Sequence, residues 1–416
     1  MQETLWFAPP CPRGLFGAVK VPPSKSLAQR GLLAACIAGV PSTVCEFPLA
    51  EDPELLLAAL GAVGYRLRRE GDSVAVEGFS PVGAATLFLG NNGTGMRLLL
   101  AHLATIPGRY RLDGTPRLRE RPVAPLVEAL RQAGASIVGE RLPVEVVGGK
   151  PLGGSVMVDA SLSSQFVSAL LFAGARLPQG LVVEVKGKLP SRPYVTMTCA
   201  VLRAFGARVT EGDRVFSVRG PLAPRTFPVE GDWSAAAFPM VGVAVAGGEV
   251  EVLGVQLPSA QGDSVIATLL REAGCEVTVT ARGVRVRGPA TKPLRADLQD
   301  CPDLFPPLSV LVALRGGRLT GLGNLAVKES PRLAVMAEHC RRLGLVVEVG
   351  SDWFAAPGGS KPATPPEPLS PAGDHRVAMA LALASLVAPG LAIQDPGCVG
   401  KSWPGFFAAW EKLVPP

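Results

Sequence analysis

The sequence predicts an α/β protein of two domains, built from six copies of one βαβαββ unit, three in each domain. Two marks repeating in step carry this prediction. Alanine-rich runs of helical character end at Gly39, Gly108, Gly180, Gly248, Gly317 and Gly390, about 70 residues apart. Between them a Leu-x-x-x-Gly phrase closes a second run at Gly64, Gly134, Gly206 and Gly274, and at Gly344 with Cys340 in the leucine's place. At Ala409 to Leu413 the chain reaches the place where a sixth would fall, without its glycine.

Each unit opens on a polar cluster and a helix of 12–14 residues, closed by a glycine able to take the left-handed cap. A β-rich run follows, such as Leu181 to Lys186 or Gly248 to Leu253. Another polar cluster, the second glycine-terminated helix and strands such as Ser136 to Val138 and Cys275 to Val279 complete it. The alternation argues for helices packed on sheets. Six units exceed a single core, and the Pro-rich stretch Pro221 to Gly231 divides them. Gly14 to Val21 reads as a strand without a unit of its own and is expected to complete the final one. The expected domains are therefore 21–230 and 1–20 plus 231–416. Pro362 to Pro371 reads as a surface loop.

At 416 residues and 48% hydrophobic, the chain has enough apolar surface for two cores. The runs Phe238 to Ala246 and Val377 to Ala388 are too short for a bilayer and read as buried helices. Met1 to Pro10 shows no secretory pattern, and eight scattered cysteines without a C-x-x-C pair suit a reducing cytoplasm. A net charge of +6 without any Lys/Arg run favours small anions over nucleic acid or a membrane surface.

The polar clusters hold the chemistry. One set, in equal phase ahead of the first helices, is Ser24-Lys25-Ser26 with Arg30, Asn91 to Arg97, Ser163-Ser164-Gln165, Asp232-Trp233-Ser234, Pro302-Asp303 and Asp374-His375-Arg376. The other is Asp52-Pro53, Arg117 to Pro122, Ser191 to Tyr194, Asp263-Ser264, Lys328 to Arg332 and Lys401 to Pro404. Equal phase means equivalent place, so these clusters should gather at helix N-termini, where free N–H groups and the dipole attract anions. Plain N-capping accounts for Asp52, Ser264 and Asp232. It does not account for Lys25, Arg97, Arg121, Lys328, Arg332, Arg376 and Lys401, because a cation there opposes the dipole; an external anion is implied. Asp303, Glu329 and His375 can move protons, Glu329 having a surface salt bridge as its simpler reading. No metal-ligand spacing, P-loop or dinucleotide fingerprint occurs, and no cysteine lies between Cys45 and Cys199. What remains is acid–base chemistry on anionic substrates, without metal or cofactor.

At these residues the chain resembles the 5-enolpyruvylshikimate-3-phosphate synthase family. Pro23-Ser24-Lys25-Ser26, Leu89-Gly90-Asn91-x-Gly93-Thr94-x-Met96-Arg97, Arg119-Glu120-Arg121-Pro122, Ser163-Ser164-Gln165-Phe166, Arg192-Pro193-Tyr194, Val327-Lys328-Glu329 with Arg332, Asp374-His375-Arg376 and Lys401 with Pro404, Phe406 and Phe407 stand in the family's order across the chain. The resemblance implies a two-domain inverse α/β barrel with its active site in the interdomain cleft. It implies transfer of the enolpyruvyl group of phosphoenolpyruvate to the 5-hydroxyl of shikimate 3-phosphate, with loss of phosphate through a tetrahedral intermediate. Lys25, Ser26, Arg30, Ser163, Ser164, Gln165, Ser191, Tyr194, Asp303, Asn324 and Lys328 would bind shikimate 3-phosphate. Lys25, Asn91, Gly93, Arg97, Arg121, Gln165, Arg332, His375, Arg376 and Lys401 would serve phosphoenolpyruvate. Asp303, Glu329 and Lys25 would be catalytic, in a cytoplasmic monomer, and Gly93 would leave room for glyphosate.

The chain departs from the family's usual pattern at Pro23, Gln29, Asn92, Gly95, Leu98, Trp233 and Pro331. None of these removes a charged ligand. The rival is UDP-N-acetylglucosamine enolpyruvyl transferase, which normally has Asn where Ser26 stands and a loop cysteine absent here.

Overall fold

The computed structural model describes residues 4–11, 13–150 and 152–415. By its internal contacts the chain divides into two compact units, Met1–Pro22 with Gly231–Pro416, and Pro23–Glu230. Each has its own apolar core. No described helix is long and apolar enough to cross a membrane, and all eight cysteines are unbridged.

Five four-stranded sheets share one plan, in which a parallel pair is extended by an antiparallel hairpin. In Pro23–Glu230, Ala84–Phe88 pairs parallel with Gly108–Asp113 across the helix Gly93–Leu103, and Ser155–Asp159 with Leu181–Lys186 across Gln165–Arg176. In the other unit, Leu294–Asp297 pairs with Gly317–Thr320 across the helix Phe305–Arg315. These are βαβ units whose strands bury alternate residues, as Leu181, Val183 and Val185 do. The expected strands Leu181–Lys186, Gly248–Leu253 and Ser136–Val138 form with those bounds.

Two expectations are corrected. Leu15–Lys20 does not complete the final unit. It lies parallel to Gly248–Leu253, with Leu15 opposite Gly248. Within Pro23–Glu230 the corresponding place, beside Ser42–Cys45, is filled by Thr226–Pro228, a strand inside the stretch read as a linker. Each chain crossing thus follows a strand whose partner lies far away in sequence, so a local reading misplaced it. The last strand, Ala392–Gln394, pairs instead with Leu5–Phe7.

The second correction concerns the marker glycines. Gly39 caps its helix, but the helices before Gly248 and Gly317 are capped one residue earlier, at Gly247 and Gly316. Those before Gly108, Gly180 and Gly390 end at Leu103, Arg176 and Ser385. At Gly248 and Gly317 the cause of the glycine is the sheet: φ is +98° and +135°, and a Cβ would collide with the carbonyls of Leu15 and Leu294 on the neighbouring strand. The second series does mark helix ends. Gly134, Gly206, Gly274 and Gly344 follow the cap, and the next residue's N–H reaches back to Leu130, Leu202, Leu270 and Cys340. Pro362 to Pro371 runs without regular structure, except that buried Leu369 bridges to Ile393.

Candidate active site

The polar clusters stand at helix starts. Ser24, Asn92, Asp232 and Asp374 cap the helices Lys25–Ala38, Gly93–Leu103, Trp233–Ala246 and His375–Ser385 through their side chains. The candidate residues are divided between the two units.

In Pro23–Glu230, Lys25 is buried at the first turn of its helix and forms a 2.9 Å ion pair with Asp52. Asp52 is therefore no N-cap; Ala50 holds that position. Its equal phase with the basic clusters was the available signal. Ser264 is not a cap either, lying within the short helix Gly262–Val265. Arg30 donates to Thr198 Oγ1 at 2.8 Å, to the Ser26 carbonyl at 2.9 Å and to the Tyr194 carbonyl at 3.3 Å. Burial lowers its pKa to about 10, still leaving it charged. Thr198 Oγ1 also lies 2.9 Å from both Ser168 Oγ and the Tyr194 carbonyl. Ser191 holds a left-handed conformation, φ +58°, just before Tyr194.

The Gly93 loop sits against two arginines. Arg97 donates to the carbonyls of Gly93 and Pro122 and, at 2.6 Å, to Gln165 Oε1. Gln165 donates in turn to Thr94 at 3.0 Å, a residue to which the sequence assigned no role. Arg97 is thereby a brace for the loop. Arg121 reaches the Asn91 carbonyl at 3.3 Å, and a Cβ on Gly93 would stand 2.5 Å from its Cζ. Ser163 Oγ accepts from the Gln165 backbone N–H at 3.3 Å, and Ser164 is buried ahead of the same helix.

The other unit gathers carboxylates around two arginines. Arg332, 1% exposed, uses Nε to reach Asp374 at 2.7 Å, Nη1 to reach Asp303 at 2.6 Å and Nη2 to reach Glu329 at 2.9 Å. Arg376 reaches the second oxygen of Asp303 at 3.0 Å. Glu329 is not on the surface; its side chain is 11% exposed. The rule that clustered cations imply an external anion is thus incomplete here, since Arg332 is neutralised from within by carboxylates close in space. Asp374 was visible as part of a motif but not as Arg332's partner. Burial would raise the Asp303 pKa, but Arg376, Arg332 and Lys328 more than offset it and hold the carboxyl well below the usual range. His375 is fully buried, its Nδ1 3.6 Å from Asp374. Asn324 lies half-buried on the short helix Gly323–Val327, just ahead of Lys328. Lys401 is buried at the end of Pro396–Lys401, which packs on the helix His375–Ser385.

Asp263 stands in one of the polar clusters, and the sequence assigned it no role. It is 2% exposed; Ser234 donates to Oδ2, while Oδ1 has no hydrogen-bond partner among the described residues. Burial and then Asp303 push its pKa up to about 7, against the pull of Arg376 and the Ser234 hydrogen bond; Asp232 adds to the rise. Its folded pKa lies above the unfolded value of about 3.9, so its stabilising proton is fully held below about pH 4 and lost as pH rises through about 7. Relative to Asp263→Asn, the native chain should lose on the order of 2 kcal/mol between about pH 5 and 8. Melting temperatures of both proteins at the two pH values test this. A difference independent of pH counts against a proton on Asp263.

A family profile, EPSP synthase (3-phosphoshikimate 1-carboxyvinyltransferase), matches residues 11–410. The chain belongs to the EPSP synthase family. A 3-phosphoshikimate 1-carboxyvinyltransferase of Bordetella parapertussis is 37% identical over 97% of each chain. One from Thiobacillus denitrificans is also 37% identical, over 96% of this chain and 97% of the relative. Among solved structures, an EPSP synthase of Acinetobacter baumannii superposes with a TM-score of 0.80 at 26% identity, covering 99% of this chain and 98% of that one. Family membership makes the chain a transferase.

Proposed function

We propose that this chain transfers the enolpyruvyl group of phosphoenolpyruvate to the 5-hydroxyl of shikimate 3-phosphate and releases phosphate. The observation carrying the reading is the Asp303 carboxylate fixed between Arg332 and Arg376 with Glu329 alongside. In this reading Asp303 is the proton acceptor and Glu329 the second proton-transfer group, both beside cations that suit an anionic donor. The relatives' names point to the shikimate acceptor, and nothing favours the UDP-N-acetylglucosamine alternative.

In the mechanism, Asp303 accepts the 5-hydroxyl proton as the oxygen attacks C2 of phosphoenolpyruvate. Glu329 gives a proton to the methylene carbon, forming the tetrahedral adduct. Elimination reverses that transfer: Glu329 takes back a methyl proton, the enol double bond re-forms and the C–O bond to phosphate breaks with its electron pair on phosphate. The proton first taken by Asp303 leaves with the phosphate, whose departing charge Lys25 stabilises. Between the two guanidiniums Asp303 is a weak base. A phosphoenolpyruvate carboxylate arriving at Arg332 and Arg376 would share their charge and restore its basicity, coupling proton removal to donor binding. Arg30 with Ser26, Ser163, Ser164, Gln165, Ser191, Tyr194, Asn324 and Lys328 would seat the acceptor. Lys25, Asn91, Gly93, Arg97, Arg121, His375 and Lys401 would seat the donor. Both units thus serve one pair of substrates, in a two-domain inverse α/β barrel of six βαβαββ units acting as a cytoplasmic monomer.

The deciding measurement is phosphate release on mixing the chain with both substrates, beside the same mixture with UDP-N-acetylglucosamine as acceptor. Release only with the latter would overturn the reading. A second expectation concerns the donor loop. In Gly93→Ala the added methyl must push the Arg121 guanidinium aside, since its three terminal atoms lie within 2.6 Å of that position. KM for phosphoenolpyruvate should rise about tenfold or more, the scale of one lost charge-assisted hydrogen bond. KM for shikimate 3-phosphate should move much less. Glyphosate should inhibit the native chain with a constant no greater than KM for phosphoenolpyruvate.

A further inference from the structure

We propose that Asn92, together with Gln29, is a positioning residue that locks Lys25 and the Gly93 loop into one frame and so sets the affinity for phosphoenolpyruvate. The proposal rests on the function proposed above. Both side chains are fully buried. The Asn92 amide donates to Gln29 Oε1 at 2.8 Å and to the Asp52 carbonyl at 2.7 Å, while its oxygen accepts from the Gly95 N–H at 2.8 Å. Gln29 donates back to the Lys25 carbonyl at 3.4 Å, and the Asp52 carboxylate holds the Lys25 ammonium at 2.9 Å. One amide therefore joins the N-terminal ends of three helices, Lys25–Ala38, Glu51–Ala62 and Gly93–Leu103. Two routes lead from it to Lys25, through backbone and through the ion pair.

Three departures from the family pattern, at residues 29, 92 and 95, become one feature. A Cβ at residue 95 would collide with the Asn92 amide nitrogen and lie 2.8 Å from Gln29 Oε1 and 2.9 Å from Asn92 Cγ. Gly95 has no strained φ to explain it; the space is taken by Asn92. A side chain at 95 and the Asn92 bridge are mutually exclusive.

Helix capping alone is the competing account, and serine separates the two. Asn92→Ser keeps a cap oxygen for the Gly95 N–H but cannot span to Gln29 and Asp52. Phosphate release by the full chain is measured for Asn92→Ser, Asn92→Ala, Gly95→Ala and the double variant Asn92→Ala with Gly95→Ala, varying each substrate in turn, with melting temperatures for all. Both Asn92 variants should raise KM for phosphoenolpyruvate about tenfold, as expected from lost buried hydrogen bonds, with far smaller changes in kcat and in KM for the acceptor. Gly95→Ala should be worse alone than combined with Asn92→Ala. A native KM in Asn92→Ser, or a double variant as impaired as both singles together, overturns the proposal. A native chain that releases no phosphate would instead refute the functional reading, and the melting temperatures would still report whether a methyl group at residue 95 is tolerated only without Asn92.

Discussion

Arg332→Met should lower folding stability by about 3–5 kcal/mol at neutral pH and leave no measurable phosphate release. The guanidinium is 1% exposed and within 2.6–2.9 Å of Asp303, Glu329 and Asp374. Methionine fills much of the volume but removes the one guanidinium that all three carboxylates share, while Asp303 keeps Arg376. The penalty depends on pH with a definite sign. The Asp303 pKa is depressed in the folded chain, so its contribution is present above about pH 4 and lost as pH falls toward the folded value. Removing Arg332 lets that pKa rise, so the variant recovers stability relative to the native chain on acidification. Urea unfolding at about pH 7.5 and about pH 3 reads both values. A deficit equal at the two pH values would show that packing, not charge, is what arginine supplies.

Asp303→Asn should reduce kcat about 10³-fold while the chain keeps its fold. The substitution preserves shape and removes the proton acceptor between Arg332 and Arg376. Arg332 retains Asp374 and Glu329, so the loss of stability should be small beside that of Arg332→Met. Arg376 loses the charge of the carboxylate it pairs with and becomes freer to meet an anionic donor. KM for phosphoenolpyruvate should therefore stay level or fall as kcat collapses, a split that a misfolded variant would not produce. Steady-state phosphate release with each substrate varied is the measurement. A kcat within about tenfold of native would remove Asp303 from the base's role.

These two variants bear on residues that the sequence exposed only in part. The position of Asp303 after a proline at a helix start was legible, as was the basic residue at 332. The ion pair joining them was not, because its partners stand 29 residues apart in the chain. Asp52 was read as a cap because acidic residues favour the first turn of a helix, and local propensity carries no information about a lysine one helix earlier in the chain. Gln29, Asn92 and Gly95 each looked like an isolated departure until their contacts joined them.

What the sequence by itself determined is the alternation of strands and helices, the helix starts bearing the polar clusters, the second series of glycine stops and the family. All of these rest on spacing, backbone preference or motif order, which neighbouring residues specify. Tertiary structure alone decided the rest. It placed Leu15–Lys20 beside Gly248–Leu253 and Thr226–Pro228 beside Ser42–Cys45, and it chose the carboxylates that neutralise Lys25, Arg332 and Arg376. Strand pairing and charge compensation depend on which surfaces meet once the cores have formed, and a buried charge is satisfied by whatever group lies within a few ångströms, however distant along the chain.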